Sequence, residues 1–218
     1  MFEETAVRVV PNYADNEEAA NAVTHGVGML FSFVGVVAMA MFARLADNGQ
    51  AYSCVIYTAT LFLVYSLSTM LHAVRHPDWK YLLRRWDQGA VYLLISGTYT
   101  PFVWSYLAPP TSWIVMFAIW SFAVIGCYSK VVIHYRVLAF SPLSYILFGW
   151  LPALTMTGAV PGACVIWMVL GGMLYTTGTL FLRFDQRYRY FHAIWHVFVM
   201  LGSACHFYAV YAYACPAV

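Results

Sequence analysis

A chain of 218 residues with 62% hydrophobic and only 9% charged side chains holds about a third of the charge of a soluble domain, where roughly 25% is usual. That excludes a water-soluble globular fold, because a core of this size cannot hide so much apolar surface and lipid must be the solvent for most of it. The formal charge of +2 is spread over ordinary basic loops with no nucleic-acid signature, which leaves anionic lipid headgroups as their only evident partners.

In chain order, residues 1–20 come first and are polar, with Glu3, Glu4, Asp15, Glu17 and Glu18 against Arg8 alone. They lack the basic start and short apolar core of a signal peptide, and read as a polar cytosolic segment ahead of a transmembrane domain over 21–218. Seven apolar stretches follow: Asn21–Arg44, Tyr52–Ala73, Trp86–Leu107, Trp113–Ile133, Val137–Thr157, Cys164–Leu182 and Tyr190–Ala214. Each approaches the roughly 20 residues a helix needs to cross about 30 Å of hydrocarbon. The breaks carry turn chemistry or charge: "ADNGQ", "RHPDWKYLLRR", "LAPPTS", "SKVVIHYR", "TGAVPGA" and "RFDQRYR". No internal repeat or second domain interrupts them. The expected fold is an all-α bundle of seven transmembrane helices.

Lysine and arginine set the orientation. With the N-terminus in the cytosol, ten of the 11 basic residues fall on the cytosolic side and only Arg44 lies outside, a strong positive-inside bias. Seven spans then put the C-terminus outside. Trp104, Tyr106 and Trp113 border the outer face, and Trp79, Trp86, Tyr188 and Tyr190 the inner one, as aromatic belts require. The expected location is a cell membrane, crossed several times by the chain. The five cysteines form no C-x-x-C pair and are expected to pack as small apolar residues.

Depth then singles out a polar layer. His192 and His196, in "YFHAIWHVFVML", open the seventh helix at its cytosolic end; His72 closes the second and Asp87 opens the third at that same end. All four lie within one or two helical turns of the cytosolic border. Histidines at i and i+4 share a helix face and can reach one metal. A third from a facing helix completes a three-nitrogen set with a fourth tetrahedral position left for water, the open, catalytic kind of zinc site. Asp87 is the only acidic residue inside any expected span, and so the available general base. Ser68, one turn before His72, faces the same way.

A metal-free arrangement, with the imidazoles and Asp87 bonding one another as bundle glue, is the competing reading. H-x-x-x-H alone is weak, but the shared depth in a membrane favours metal over glue, because unpaired polar groups there are expensive and tend to be functional. His206 lies fourteen residues past His192, about 21 Å along the helix, and reads as a packed residue of the outer half. His76 and His134 read as solvated loop residues.

The same residues carry a resemblance. "EAANAVTHGVG" places Glu18, Asn21, Thr24, His25 and Gly28 in an E-x-x-N-x-x-T-H-x-x-G spacing; Ser68 and His72 follow as S-x-x-x-H, then "WDQGAVYLLISGTYTPF" and "HAIWHVFVMLGSACHFYAV". In this order they resemble the hemolysin III family, the bacterial branch of the progestin and adipoQ receptor superfamily, which is related to alkaline ceramidases. The resemblance spans all seven helices. It implies a zinc ion near the cytosolic face held by His72, His192 and His196, an acidic water-holding residue at Asp87 and a helix-two serine at Ser68. Glu18, Asn21 and His25 match the first motif, for which a structural or supporting role is implied, with His25 near enough in depth to approach the metal.

The family is divided in function, and three expectations follow. One is an intramembrane zinc hydrolase of a lipid amide or ester, with Asp87 as base and Ser68 as donor. Another is a receptor or regulatory protein whose zinc only fastens helices. The last is a cytolytic, hemolysin-like protein. No expected helix shows a continuous polar stripe, which weakens a pore, and three histidines with a carboxylate leave a coordination position open, which favours the hydrolase. Neither the substrate nor the oligomeric state is legible in the sequence.

Overall fold

The computed structural model describes residues 13–46, 49–133, 141–156 and 158–215, with the side chains of 45, 46 and 141 left aside. Seven α-helices run through them: α1 (Asp15–Ala46), α2 (Gly49–Ala73), α3 (Pro77–Tyr106), α4 (Thr111–Val131), α5 (Ser141–Met156), α6 (Gly162–Arg183) and α7 (Phe191–Ala209), the last continued by a single π-helical turn over Val210–Ala214. Five of them (α1, α2, α4, α6 and α7 with its π turn) are long and apolar enough to cross a membrane, and α5 is a shorter apolar helix. The protein is a multi-pass membrane protein. Its outer surface says the same: Phe31 is 75% and Phe117 77% exposed, a pattern that water would penalise and lipid does not.

Two helices begin well before their apolar stretches. α1 starts at Asp15, not Asn21, with Asp15, Glu17 and Glu18 in its first turn, where carboxylates meet the positive end of the helix dipole. α3 starts at Pro77, not Trp86, with proline at the helix start, where its missing N–H costs nothing. The charged run "PDWKYLLRR", expected as a loop, is therefore the first turns of a 30-residue helix. That helix is about 45 Å long, longer than the hydrocarbon is thick, and polarity marked where the lipid ends and not where the helix ends. The readings of Glu3, Glu4, Arg8, His134, Arg136, residues 137–140, Thr157 and the last three residues lie outside the described residues.

Neighbours in sequence pack as neighbours in space: α1 on α2, α2 on α3, α3 on α4, and α6 on α7. α5 bridges α3 and α6, and α7 returns to α1, so the first, second and last helices share one seam. Close approach at α6 and α7 depends on glycine. A Cβ on Gly171 would stand 3.0 Å from the Gly202 carbonyl and 2.7 Å from His206 Nε2, and one on Gly202 3.1 Å from the Gly171 carbonyl.

At one end of the seam the Gln50 side-chain amide donates to the Ala214 carbonyl (2.7 Å) and to Ser105 Oγ (3.0 Å). Beside it the cysteines are free and most pack among apolar side chains, as expected. Cys164 and Cys205 are buried as small apolar side chains, but Cys54 and Cys215 meet with their sulfurs 3.1 Å apart, and Cys215 Sγ lies 3.5 Å from Met39 Sδ. A contact between residues 161 apart has no sequence signature. The opposite end of the seam holds the histidines.

Candidate metal centre

His72 comes from the last turn of α2, and His192 and His196 from the first turns of α7. One ring nitrogen of each lies within 4.8 Å of the other two. His72 is 4% and His196 1% exposed, so both rings are out of water.

What the other ring nitrogens do fixes the chemistry. The His72 Nδ1–H donates to Glu18 Oε2 at 2.7 Å, and Lys80 Nζ donates to the second carboxylate oxygen at 2.5 Å. The His192 Nδ1–H donates to Asp185 Oδ2 at 2.8 Å, an oxygen that also accepts the Tyr13 hydroxyl at 2.5 Å. The His196 Nδ1–H donates to the Asn21 carbonyl at 3.2 Å, with Thr24 Oγ1 at 3.1 Å. An acceptor at every Nδ1 requires the proton there and leaves the lone pair on Nε2. The His72 Nε2 is buried with no hydrogen-bond partner, which costs about 1–3 kcal/mol unless something occupies it. Imidazoles whose far nitrogen is tied to a carboxylate or carbonyl are the usual form of metal ligands. The three histidines fit a metal ion, and their donor set can hold one.

Asp185 sits in the turn between α6 and α7. Burial raises its pKa, but the hydrogen bonds from His192 and Tyr13 outweigh that and hold the carboxyl below its ordinary value. Burial, and then the negative charge of Asp185, push the Tyr13 phenol up. The pair is thus a carboxylate with a neutral hydroxyl donor, fit to keep the proton on His192 Nδ1. Just before α7, Tyr190 takes a left-handed backbone conformation, φ 61, which costs a side-chain-bearing residue about 1–2 kcal/mol. Its N–H donates to Glu17 Oε1 at 2.8 Å. This turn, anchored on α1, sets the direction in which α7 begins and so where His192 and His196 point.

The structure brings the residues singled out by sequence to one end of the bundle. Ser68, buried, hydrogen-bonds the Asp87 side chain. Asp87, from α3, thus reaches α2 one turn from His72, although it is not among the three side chains that converge on a single point. His25 stacks on His196, ring centroids 3.5 Å apart, and meets Tyr65 edge-on at 5.1 Å. Neither ring nitrogen of His25, and neither side-chain polar atom of Asn21, has a partner. The spacing E-x-x-N-x-x-T-H therefore marks one face of α1 laid against the histidines. His206 lies apart, buried and stacked on Tyr175 at 5.4 Å. His76 is exposed at the start of α3.

Sequence reasoning passed over Tyr13, Lys80, Arg84, Asp185 and Tyr190. Asp185 and Tyr190 belong to a turn, where no periodicity reports facing. Lys80 and Arg84 were hidden by the misplaced start of α3, although Arg84 stands three residues before Asp87, on the same helical face.

Known proteins resemble the chain along most of its length. The Haemolysin-III related family matches residues 13–207. Hemolysin-3 of Bacillus cereus is 36% identical over 206 residues, covering 92% of this chain and 93% of the relative. The Hemolysin-3 homolog of Bacillus subtilis is 36% identical over 203 residues, 90% and 94% of the two chains. Human Monocyte to macrophage differentiation factor is 27% identical over 206 residues, 90% and 84%. The chain belongs to the Haemolysin-III related family.

Proposed function

We propose that this chain binds zinc and hydrolyses an amide or ester bond of a membrane lipid, from a seven-span bundle with its N-terminus in the cytosol and its C-terminus outside. The observation that carries the reading is the set of three imidazoles, each offering one ring nitrogen within 4.8 Å of the others, each with its Nδ1 bonded to an acceptor, and with the His72 Nε2 buried and unpartnered. His72, His192 and His196 would hold the ion, and neutral imidazoles suit zinc well. Bound zinc lowers the pKa of a water to about 7 and polarises a carbonyl.

The chain's own residues supply the rest. Glu18, Asp185 and the Asn21 carbonyl fix the three ring tautomers and orientations. Asp87 takes a proton from the attacking water on its carboxylate oxygen, and the Ser68 hydroxyl holds that carboxylate in place. His25 and Thr24 steady His196.

A structural zinc is the second reading, and one observation favours it. The bonds from α1 to both α2 and α7 mean that an ion at this point would fasten the seam where the bundle closes. The two readings separate in a hydrolysis assay over a panel of lipid amides and esters, run on protein as purified, stripped with chelator, and restored with zinc. Turnover that disappears and returns with the metal supports the hydrolase. A fold that loosens and recovers with the metal, while no substrate turns over in any state, favours the fastener.

A further inference from the structure

Arg84 is only 7% exposed, on the α3 face that carries Asp87. Its Nε and Nη2 atoms are both buried and have no hydrogen-bond partner. These two nitrogens form one edge of the guanidinium, whose parallel N–H bonds match the two oxygens of a carboxylate or phosphate. A buried cation with that edge unfilled is an unstable arrangement in a low-dielectric layer.

The acidic groups around it do not fill the gap. Glu18, Asp87 and Asp185 all lie within electrostatic reach of Arg84, yet each is committed elsewhere. Glu18 is held between His72 and Lys80, Asp185 between His192 and Tyr13, and Asp87 by Ser68. Charge balance leaves room for one more anion. Among these groups alone, the three carboxylates meet Lys80 and Arg84, so a divalent ion on the histidines turns a deficit of one charge into an excess of one.

We propose that Arg84 is the anion-binding arm of the centre, receiving a paired-oxygen anion on its Nε–H and Nη2–H. The ligand is a carboxylate or phosphate carried by a lipid. Under the hydrolase reading, on which the charge balance relies through its zinc, the released acid is such a ligand. Arg84 then holds one end of the substrate or product while the chain lies along the bundle.

Equilibrium binding to the full zinc-loaded protein in neutral detergent tests this without turnover. The probes are labelled dodecanoate, dodecyl phosphate, neutral dodecanol and inorganic phosphate. The parent should bind dodecanoate or dodecyl phosphate at least tenfold more tightly than dodecanol. Inorganic phosphate bound as tightly as dodecyl phosphate would assign the same fork to a free anion instead of a lipid. Arg84→Gln should weaken the anions by about tenfold or more. Arg84→Lys keeps the charge but loses the fork, and should weaken them comparably with zinc content unchanged. Arg85→Gln, whose guanidinium lies over the Tyr81 ring at 5.7 Å, should bind as the parent does. A folded, zinc-loaded Arg84→Lys protein with parental affinity overturns the proposal, and so does a parent that does not distinguish dodecanoate from dodecanol. If the parent binds the anions through Arg84 but hydrolyses nothing, the arm stands and the hydrolase falls; hydrolysis with Arg84-independent anion binding gives the reverse.

Discussion

Glu18 Oε2 accepts the His72 Nδ1–H at 2.7 Å while the other oxygen of the same carboxylate accepts Lys80, so one side chain of α1 ties α2 to the start of α3. Removing the charge should loosen the ion without unfolding the bundle. Glu18→Gln is expected to lower zinc affinity roughly 10–100-fold, the usual effect of losing such a partner. His72→Ala should empty the centre, whereas His206→Ala should leave zinc content intact because its ring stacks on Tyr175 away from the other histidines. Metal analysis of the three variants checks this; equal losses from His72→Ala and His206→Ala would contradict it.

Gly171 and Gly202 set the approach of α6 to α7. Gly171→Ala places a Cβ 3.0 Å from the Gly202 carbonyl and should cost about 1–3 kcal/mol, as overpacking does. At Gly149 a Cβ meets nothing within 4 Å, so Gly149→Ala should melt with the parent. Thermal denaturation in detergent compares them, and equal melting of both variants would mean that the two helices pack differently.

Cys54 and Cys215, with sulfurs 3.1 Å apart, should cross-link on mild oxidation. A disulfide-bearing oxidant takes up the two electrons and two protons released as the sulfur–sulfur bond forms. Trypsin fragments resolved without reductant should then join the α2 and C-terminal peptides, and Cys54→Ser should abolish the joined species. Both thiols remaining fully alkylatable after oxidation would contradict the packing at that end.

Topology has its own test. Reporter fusions or cysteine labelling should place the turn between α2 and α3 on the cytosolic side, together with the Asp185 turn, and the α3–α4 turn outside. Labelling of Arg75→Cys and Asp185→Cys from opposite sides of the membrane would overturn the seven-span reading.

The sequence carried the three histidines because two physical signals coincide there: the i, i+4 spacing on one face of α7, and a depth shared with His72 under the positive-inside rule. The partners of their Nδ1 atoms were less legible. Glu18 and Thr24 were visible as a motif on α1, but not which ring each would meet, since helix facing across a bundle depends on tertiary packing. Asp185 was invisible as a partner because a turn has no period, and Tyr190, legible only as a border aromatic, holds a backbone angle that its side chain does not advertise. The charged start of α3 concealed Arg84, because a span was bounded by hydropathy and the helix by proline and hydrogen bonds.

The most direct test of a catalytic centre is Asp87→Asn, with zinc content and lipid amide or ester hydrolysis measured on one preparation. Asparagine keeps the size of Asp87 and can still meet Ser68, but it cannot take a proton at neutral pH. The account predicts a folded variant with near-parental zinc and turnover reduced by at least 10²-fold, the lower range for a lost general base. Full hydrolysis by Asp87→Asn, or loss of turnover only in proportion to lost zinc, would contradict it.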